Sequence, residues 1–157
     1  MLLPEGSAAA AMAVKARKAG QRVVFTNGVF DLLHPGHVRF LQAAAREGDL
    51  LIVGINSDMS ANSIKGVSRP VVTESERAEV LLALDCVDAV IIFNENKPNL
   101  IIREIVPDVL VKGADWPADQ IVGRDTVESA GGRVVRVSVE TGYSTTALIE
   151  RIKRIAK

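Results

Sequence analysis

The stretch TNGVFDLLHPGHVRFL, residues 26–41, joins a short apolar run to a helical pattern. The apolar run, residues 23–26, is typical of a buried strand. Pro35 favours the start of a helix. Both histidines of the chain, His34 and His37, fall at that start. The stretch therefore predicts a strand, a loop and a helix, with the histidines just beyond the carboxyl end of the strand.

The same alternation of apolar runs and helical patterns continues to the end of the chain. The predicted strands cover residues 23–26, 50–55, 89–93, 109–111 and 133–137. The predicted helices cover residues 35–46, 74–84, 98–105, 119–130 and 145–156, after an N-terminal helix that ends at Gly20. Continuous β-branched strands between helices indicate a parallel sheet covered on both faces. We therefore expect an α/β fold with a doubly wound, five-stranded parallel sheet, and an irregular loop over residues 58–73.

The length and composition of the chain limit the kinds of partner and compartment that it can have. The chain has 157 residues, 48% of them apolar, with 19 basic and 19 acidic side chains. This length predicts one domain, residues 1–157, with an N-terminal helix over residues 1–20 and a catalytic core over residues 21–157. Zero net charge argues against nucleic-acid and membrane-surface partners. Cys86, the single cysteine, suits a reducing compartment, and no apolar run is long enough to span a membrane, so we expect a cytoplasmic protein.

Four loops follow the carboxyl ends of predicted strands and collect polar and glycine residues. They cover residues 27–34, 57–73, 112–117 and 138–144. In doubly wound sheets, ligands bind beyond the carboxyl ends of the strands, where the strand order reverses. The loops therefore predict the position of the binding site.

The two histidines lie three residues apart at the start of the helix, where free N–H groups and the positive end of the helix dipole favour an anion. Gly36 between them lets a ligand approach the backbone. These features predict a phosphate site. Two alternatives are surface or capping histidines, and a zinc pair that would need a third ligand. Two histidines exclude a three-histidine metal centre, and we expect no metal held by protein ligands.

The tetrapeptide HPGH, residues 34–37, matches the HxGH signature of the nucleotidyltransferase superfamily, and the longer run 26–41 resembles its cytidylyltransferase-like branch. Further matches follow in order: Lys65-Gly66, Arg69-Pro70, Glu76-Arg77, VLVKGADW (residues 109–116), IVG (121–123), Gly131-Gly132 and GYSTTALI (142–149). Within that branch the chain is similar to the adenylyltransferases that form ADP-heptose from D-glycero-D-manno-heptose 1-phosphate and ATP for lipopolysaccharide. The resemblance covers roughly residues 20–155. It implies a Rossmann-like sheet with the strand order third-second-first-fourth-fifth.

The resemblance also implies roles for individual residues. The expected catalytic residues are His34, His37 and Lys65. The expected nucleotide-binding residues are Asn27, Gly28, Phe30, Gly36, His37, Lys112, Gly113, Asp115, Trp116, Gly142, Ser144, Thr145 and Thr146. The expected sugar-phosphate-binding residues are Asp31, Asn56, Asp58, Arg69 and Arg77.

Each of several assignments has a structural alternative. Asp31 can cap the helix, Arg69 can fix its loop, and Arg77 can pair with neighbouring glutamates. Lys65 can be a solvated lysine, and Trp116 can be a packed core residue.

The implied substrates are ATP and heptose 1-phosphate, with Mg²⁺ accompanying ATP. Two other functions stay open: a cytidylyltransferase for glycerol or ethanolamine phosphate, and a nucleotide-binding module without chemistry. Family members are often dimers, so a homodimer is a further open expectation.

Overall fold

The structure is a computed structural model that describes residues 1–138 and 142–156. Its strands are β1 (Leu2–Leu3), β2 (Val23–Gly28), β3 (Leu50–Asn56), β4 (Ala89–Phe93), β5 (Val109–Gly113) and β6 (Arg133–Val137). Within the described residues they form one sheet in the order β1-β4-β3-β2-β5-β6, and every neighbouring pair is parallel.

The predicted strands all exist, and they lie in the predicted order. The predicted count of five is wrong, because β1 adds a sixth strand at the edge. In it, Leu2 pairs with Val90 and Leu3 pairs with Ile91. Two residues are too few for a hydrophobic period, so this strand depends on its partner and leaves no signal in the sequence.

Seven α-helices connect or flank the strands in the described part of the chain. They are α1 (Gly6–Lys18), α2 (Pro35–Ala45), α3 (Asp58–Lys65), α4 (Glu74–Leu82), α5 (Asn99–Ile105), α6 (Arg124–Ser129) and α7 (Thr145–Ile155). The predicted continuous helix over residues 119–130 is wrong, since the segment holds a 3₁₀ turn, Ala118–Gln120, and then α6. Gly123 separates the two in a left-handed conformation, with φ 89°.

The expectation of an irregular loop over residues 58–73 is also wrong, because α3 occupies its first half. The segment has little apolar periodicity, and Met59 and Ile64 are exposed. Polar contacts hold it instead. Ser57 caps the helix by accepting from Ser60 N, and the Ser60 hydroxyl donates to the Glu95 carbonyl at 3.0 Å.

Side chains from alternate strand positions form two buried layers, one on each face of the sheet. Phe25, Ile52 and Leu110 pack with α1, α5 and α6. Val24 and Val53 face the opposite way and pack with α2 and α4. The expectation of helices on both faces is therefore confirmed.

The strand order reverses at β2, which lies between β3 and β5. The segments after these three strands consequently meet at one edge of the sheet, where α2 begins. No helix in the described part of the chain is long and apolar enough to cross a membrane.

Candidate active site

His34 and His37 form a stacked pair at the start of α2. Their ring centroids lie 3.7 Å apart, and the rings are inclined by 15°. His34 is the N-cap residue, and its Nδ1 accepts a hydrogen bond from the His37 backbone N–H at 3.3 Å. A neutral His34 ring therefore carries its proton on Nε2, which leaves that N–H as a donor. His34 therefore caps the helix, as one alternative predicted. The cap also fixes the orientation of the ring, so that its Nε2–H group can donate to a ligand.

His37 lies deeper, against Phe30. The Phe30 ring meets the imidazole edge-on, with centroids 5.4 Å apart. Phe30 has a φ of 47°, a conformation that bulky residues rarely adopt, and such strain concentrates at functional sites. Burial, and after it the neighbouring His34, lower the pKa of His37 to about 4. Burial also lowers the pKa of His34. Both rings are therefore neutral hydrogen-bonding groups near pH 7.

One atom of this pair lacks a partner. Among the described residues, His37 Nδ1 is the only buried side-chain nitrogen or oxygen without a hydrogen bond. Native structures rarely leave such groups unsatisfied, so this nitrogen is available to a water molecule or a ligand.

The histidines open into a cavity of about 380 Å³, which we call the histidine cavity. Its lining includes the start of α7, where Ser144 caps the helix by accepting from Ala147 N at 3.0 Å. Thr145 and Thr146 follow in the first turn. Two helix N-termini, those of α2 and α7, thus face one cavity, and both favour an anion.

Tyr143, the only tyrosine of the chain, also lines the histidine cavity, and the sequence prediction missed it. Its ring lies nearly parallel to that of His34, with centroids 6.2 Å apart. The Arg39 guanidinium lies 5.6 Å from the tyrosine ring centre. The signal was present in the sequence, because Tyr143 stands between Gly142 and Ser144, which were both predicted.

Asp31 and Arg69 hold the segment after α3 against the loop after β2. Arg69 Nε lies 2.6 Å from Asp31 Oδ2, and the backbone N–H groups of Val71 and Val72 donate to the same carboxylate at 2.9 Å. Burial raises the pKa of Asp31, but these donors outweigh it and hold the pKa below its usual value. Asp31 therefore does not cap α2. Arg69 fixes its loop, as the structural alternative predicted.

Arg77 is buried, and its guanidinium connects several segments of the chain. Its guanidinium donates to the carbonyls of Val72 and Val29 and to the Asn56 carbonyl, and it lies 2.8 Å from Asp58 Oδ1. The predicted pairing with neighbouring glutamates is wrong, since the acidic partner comes from α3. Arg77 thus joins three segments at the carboxyl edge of the sheet.

A second cavity, of about 560 Å³, lies beside the first. We call it the tryptophan cavity, because Trp116 lines it and is 53% exposed. Trp116 is therefore not a packed core residue. Lys112 lines the same cavity, and its Nζ donates to Asn27 Oδ1. Burial lowers the pKa of Lys112 to about 8.

The sequence-predicted residues divide between the two cavities. Those that line the histidine cavity are Phe30, Asp31, His34, Gly36, His37, Lys65, Arg69, Gly113, Asp115, Ser144, Thr145 and Thr146. The tryptophan cavity takes Asn27, Gly28, Asn56, Lys65, Lys112, Gly113 and Trp116. Asp58, Arg77 and Gly142 line neither. Residues 139–141 of the predicted loop 138–144 lie outside the described residues.

Lys97 lines the tryptophan cavity and was also missed. It follows β4, the one predicted strand that none of the four predicted binding loops follows. The rule that ligands bind beyond the carboxyl ends of strands would have included it.

A larger cavity, of about 860 Å³, lies at the opposite edge of the sheet. Its charged side chains serve the fold. Arg17 donates to the Val106 carbonyl, Arg133 pairs with Glu47, and Asp108 accepts from the Val23 backbone N–H. These three charged side chains therefore already have partners within the fold.

No group of three or more histidine, cysteine or acidic side chains among the described residues is arranged to hold a metal ion. The zinc alternative for His34 and His37 therefore has no third ligand in this part of the chain.

A family model described as cytidylyltransferase-like matches residues 25–151. The bifunctional protein HldE of Geotalea uraniireducens is 54% identical over 146 residues, which is 92% of this chain and 30% of HldE. HldE of Syntrophotalea carbinolica is 54% identical over 136 residues, or 87% of this chain and 28% of that protein. The chain thus spans less than a third of the length of these curated relatives.

Solved structures agree with the fold. A lipopolysaccharide core biosynthesis protein from Thermoplasma volcanium superposes with a TM-score of 0.67 and 28% identity, covering 77% of this chain and 99% of that one. Pantoate-beta-alanine ligase from Francisella tularensis superposes with a TM-score of 0.62 at 15% identity, covering 99% of this chain and 77% of the other. The second likeness concerns the fold alone.

Proposed function

The chain belongs to the cytidylyltransferase-like family, and we propose that it transfers AMP from ATP to D-glycero-D-manno-heptose 1-phosphate. The products are ADP-heptose and pyrophosphate. The main support for phosphate transfer is the stacked pair of His34 and His37, which lines one cavity together with the N-terminus of α7. The heptose acceptor is supported by the segments 109–116 and 142–149, which resemble the ADP-heptose-forming enzymes. The likeness to a lipopolysaccharide core biosynthesis protein agrees with it.

The chemistry is a displacement at the α-phosphorus of ATP. A phosphate oxygen of the sugar 1-phosphate attacks this phosphorus, and the bond to the oxygen that bridges to the β-phosphorus breaks. Pyrophosphate leaves with the electron pair. The acceptor phosphate is already ionised near neutral pH, so the protein need not remove a proton. Its task is to position two anions and to stabilise the charge that grows on the leaving group.

His34, His37 and Lys65 are the proposed groups for this task. His34 offers its Nε2–H, and His37 offers the ring that is fixed by Phe30 and by stacking. Neutral imidazoles can donate to phosphate oxygens without the cost of two stacked cations. Lys65, at the end of α3, lines both cavities and supplies the positive charge.

The nucleotide is proposed to lie in the histidine cavity. The first turn of α7, Ser144 to Thr146, offers backbone N–H groups and hydroxyls to the phosphates. Tyr143 supplies an exposed ring beside them. A Cβ at Gly36 would lie 3.0 Å from Tyr143 Cβ and 3.1 Å from His34 Nδ1, so glycine keeps this approach open.

Mg²⁺ is proposed to arrive with ATP, held mainly by phosphate oxygens. The residues around the histidine cavity fit an ion that needs at most one carboxylate from the protein. Asp115 is an exposed carboxylate in the lining of the histidine cavity, whereas Asp31 is already committed to Arg69 and two backbone N–H groups. When bound, Mg²⁺ supplies neutralisation of phosphate charge. The use of ATP also favours a cytoplasmic location.

Pyrophosphate release with ATP, CTP and GTP, each with heptose 1-phosphate and glycerol 3-phosphate, tests the proposal. We expect release with ATP and heptose 1-phosphate. Use of CTP without ATP would instead establish a cytidylyltransferase. Nucleotide binding without any release, unchanged in His37→Ala, would establish a binding module without chemistry.

A further inference from the structure

Lys112 is a partly buried cation without an acidic partner in the described part of the chain. It stands near the end of β5, and its Nζ donates to Asn27 Oδ1 on the neighbouring strand β2. No carboxylate of the described residues forms an ion pair with it. An ammonium group has three N–H donors, and the one amide oxygen accepts a single bond. Even partial burial of a charge with so few partners costs free energy, and a bound anion would offset that cost.

The tryptophan cavity around Lys112 has the chemistry of a site for a phosphorylated sugar. Its lining contains three lysines, Lys65, Lys97 and Lys112, and no aspartate or glutamate. Carboxamide side chains also line it: Asn27, Asn96 and Gln120, together with Asn56, whose amide N–H group is already bonded within the fold. Carboxamides donate to and accept from hydroxyl groups, and lysines bind phosphate. The exposed indole of Trp116 adds a flat apolar surface against which a sugar ring can lie.

The two cavities adjoin. Val29, Lys65 and Gly113 line both of them. In phosphoryl-type transfer, the attacking and leaving oxygens stand roughly in line across the reacting phosphorus. With the nucleotide phosphates beside His34 and His37, an acceptor in the tryptophan cavity would approach from the side of Lys65. The leaving pyrophosphate would then be on the far side.

The residues that the sequence suggested for the sugar phosphate are committed elsewhere. Asp31 pairs with Arg69, and Asp58 pairs with Arg77. The Asn56 side chain donates to Ser60 and to the Glu95 carbonyl. These contacts shape the edge of the sheet, which leaves the acceptor phosphate in need of another cation.

We propose that the tryptophan cavity is the acceptor site, in which Lys112 binds the phosphate group of the sugar 1-phosphate and Trp116 packs against its ring. The inference rests on the proposed function for the identity of the acceptor. It moves Lys112 and Trp116 from the nucleotide, where the sequence resemblance put them, to the second substrate. It also gives the unpaired ammonium of Lys112 a counter-ion.

Calorimetric binding of heptose 1-phosphate, and separately of ATP with Mg²⁺, tests this on the full chain. We expect Lys112→Gln to weaken binding of the sugar phosphate by about 10–100-fold, the scale of one charged hydrogen bond. Its affinity for ATP should stay within about twofold of the unchanged protein. Lys18→Gln, an exposed lysine of α1, is the matched control and should change neither affinity.

Trp116→Leu is the second variant, because an exposed side chain can be shortened without opening the core. We expect it to weaken sugar-phosphate binding and to leave ATP binding unchanged. Weaker ATP binding with unchanged sugar-phosphate binding in both variants would overturn the inference, and so would no change in either affinity.

Turnover separates this inference from the proposed function. If the unchanged protein binds heptose 1-phosphate through Lys112 and releases no pyrophosphate with ATP, the acceptor site stands and the adenylyl transfer is wrong. If ADP-heptose forms and Lys112→Gln leaves the KM for heptose 1-phosphate unchanged, the function stands and the acceptor site is wrong.

Discussion

His34 accepts a hydrogen bond from the backbone N–H of His37 while the two imidazole rings stack 3.7 Å apart. One residue is therefore both the cap of α2 and the platform that orients the other. Because the ring contact and the cap fix the pair before any ligand binds, the site can meet phosphate oxygens without rearranging its donors. Preorganised donors of this kind are among the largest contributions to catalysis.

Removal of one ring tests this directly. His37→Ala should lower kcat for pyrophosphate release by about 10²–10³-fold, the usual effect of losing one donor to developing charge. Steady-state kinetics with saturating ATP measure it. Gln42→Ala, an exposed change on the same helix, is the control and should leave kcat unchanged. Equal rates in His37→Ala and the unchanged protein would contradict a catalytic role for His37.

The depressed pKa of His37 predicts how stability depends on pH. Its pKa falls from 6.5 to about 4 in the folded protein, so the unfolded chain binds more protons between these values. The contribution of His37 to the free energy of unfolding is fully present above pH 6.5. It decreases as the pH falls from 6.5 towards the folded pKa of about 4, and it is lost below that value. The loss is at most about 3 kcal/mol.

Urea unfolding at pH 7 and at pH 4.5 measures this loss. His37→Gln should show a smaller difference in unfolding free energy between the two pH values than the unchanged protein does. Proton NMR titration should place the His37 pKa near 4, and added ATP with Mg²⁺ should raise it, because phosphate charge favours the imidazolium. A free-protein pKa above 6 would contradict the description of the buried ring.

The Asp31–Arg69 pair predicts a stability effect that surface pairs do not have. The exposed fraction of the Asp31 side chain is 1% and that of Arg69 is 14%. Asp31→Asn should lower the unfolding free energy by about 3–5 kcal/mol, because the partly buried Arg69 loses its partner and two backbone N–H groups lose a charged acceptor. A double-mutant cycle with Arg69→Met measures the coupling.

Lys153→Met is the matched control, since its pair with Glu150 is mostly exposed. Its unfolding free energy should change by less than about 1 kcal/mol. Similar losses for Asp31→Asn and Lys153→Met would show that the buried pair does not hold the loop.

Gly36→Ala tests the close approach at the histidine cavity. The new methyl group would press on Tyr143 and His34, while alanine itself suits a helix. We expect kcat/KM for ATP to fall by about 10–100-fold through misplacement of the phosphates. The unfolding free energy should change little. A loss of stability without any loss in kcat/KM for ATP would mean that Gly36 serves packing alone.

The sequence predicted five of the six strands, because each of the five contains an apolar run, and the family resemblance supplied their order. It also predicted the position of the histidine pair, since HPGH begins the helix that follows the first such run and its loop. The structure and the comparisons confirm the cytidylyltransferase-like resemblance. Signals of this kind lie within a short window of sequence, so they can be recognised without knowing the tertiary contacts.

The rest depends on partners distant in sequence. Helix α3 lacks an apolar face and is held by Ser57, Ser60 and the segment after β4. Arg77 pairs with Asp58 across 19 residues, and Lys112 meets Asn27 across 85. No periodicity within a short window encodes such pairs, so the division of the site into two cavities could be found only from the structure.

The most direct test of the central claim is ³¹P NMR of the protein incubated with ATP, Mg²⁺ and D-glycero-D-manno-heptose 1-phosphate. We expect pyrophosphate and the nucleoside diphosphate sugar ADP-heptose to appear in equal amounts as both substrates disappear. Release of ADP or inorganic phosphate in place of pyrophosphate would contradict attack at the α-phosphorus. Unchanged ATP and heptose 1-phosphate in that sample, with CTP consumed in a parallel one, would contradict the proposed adenylyl transfer.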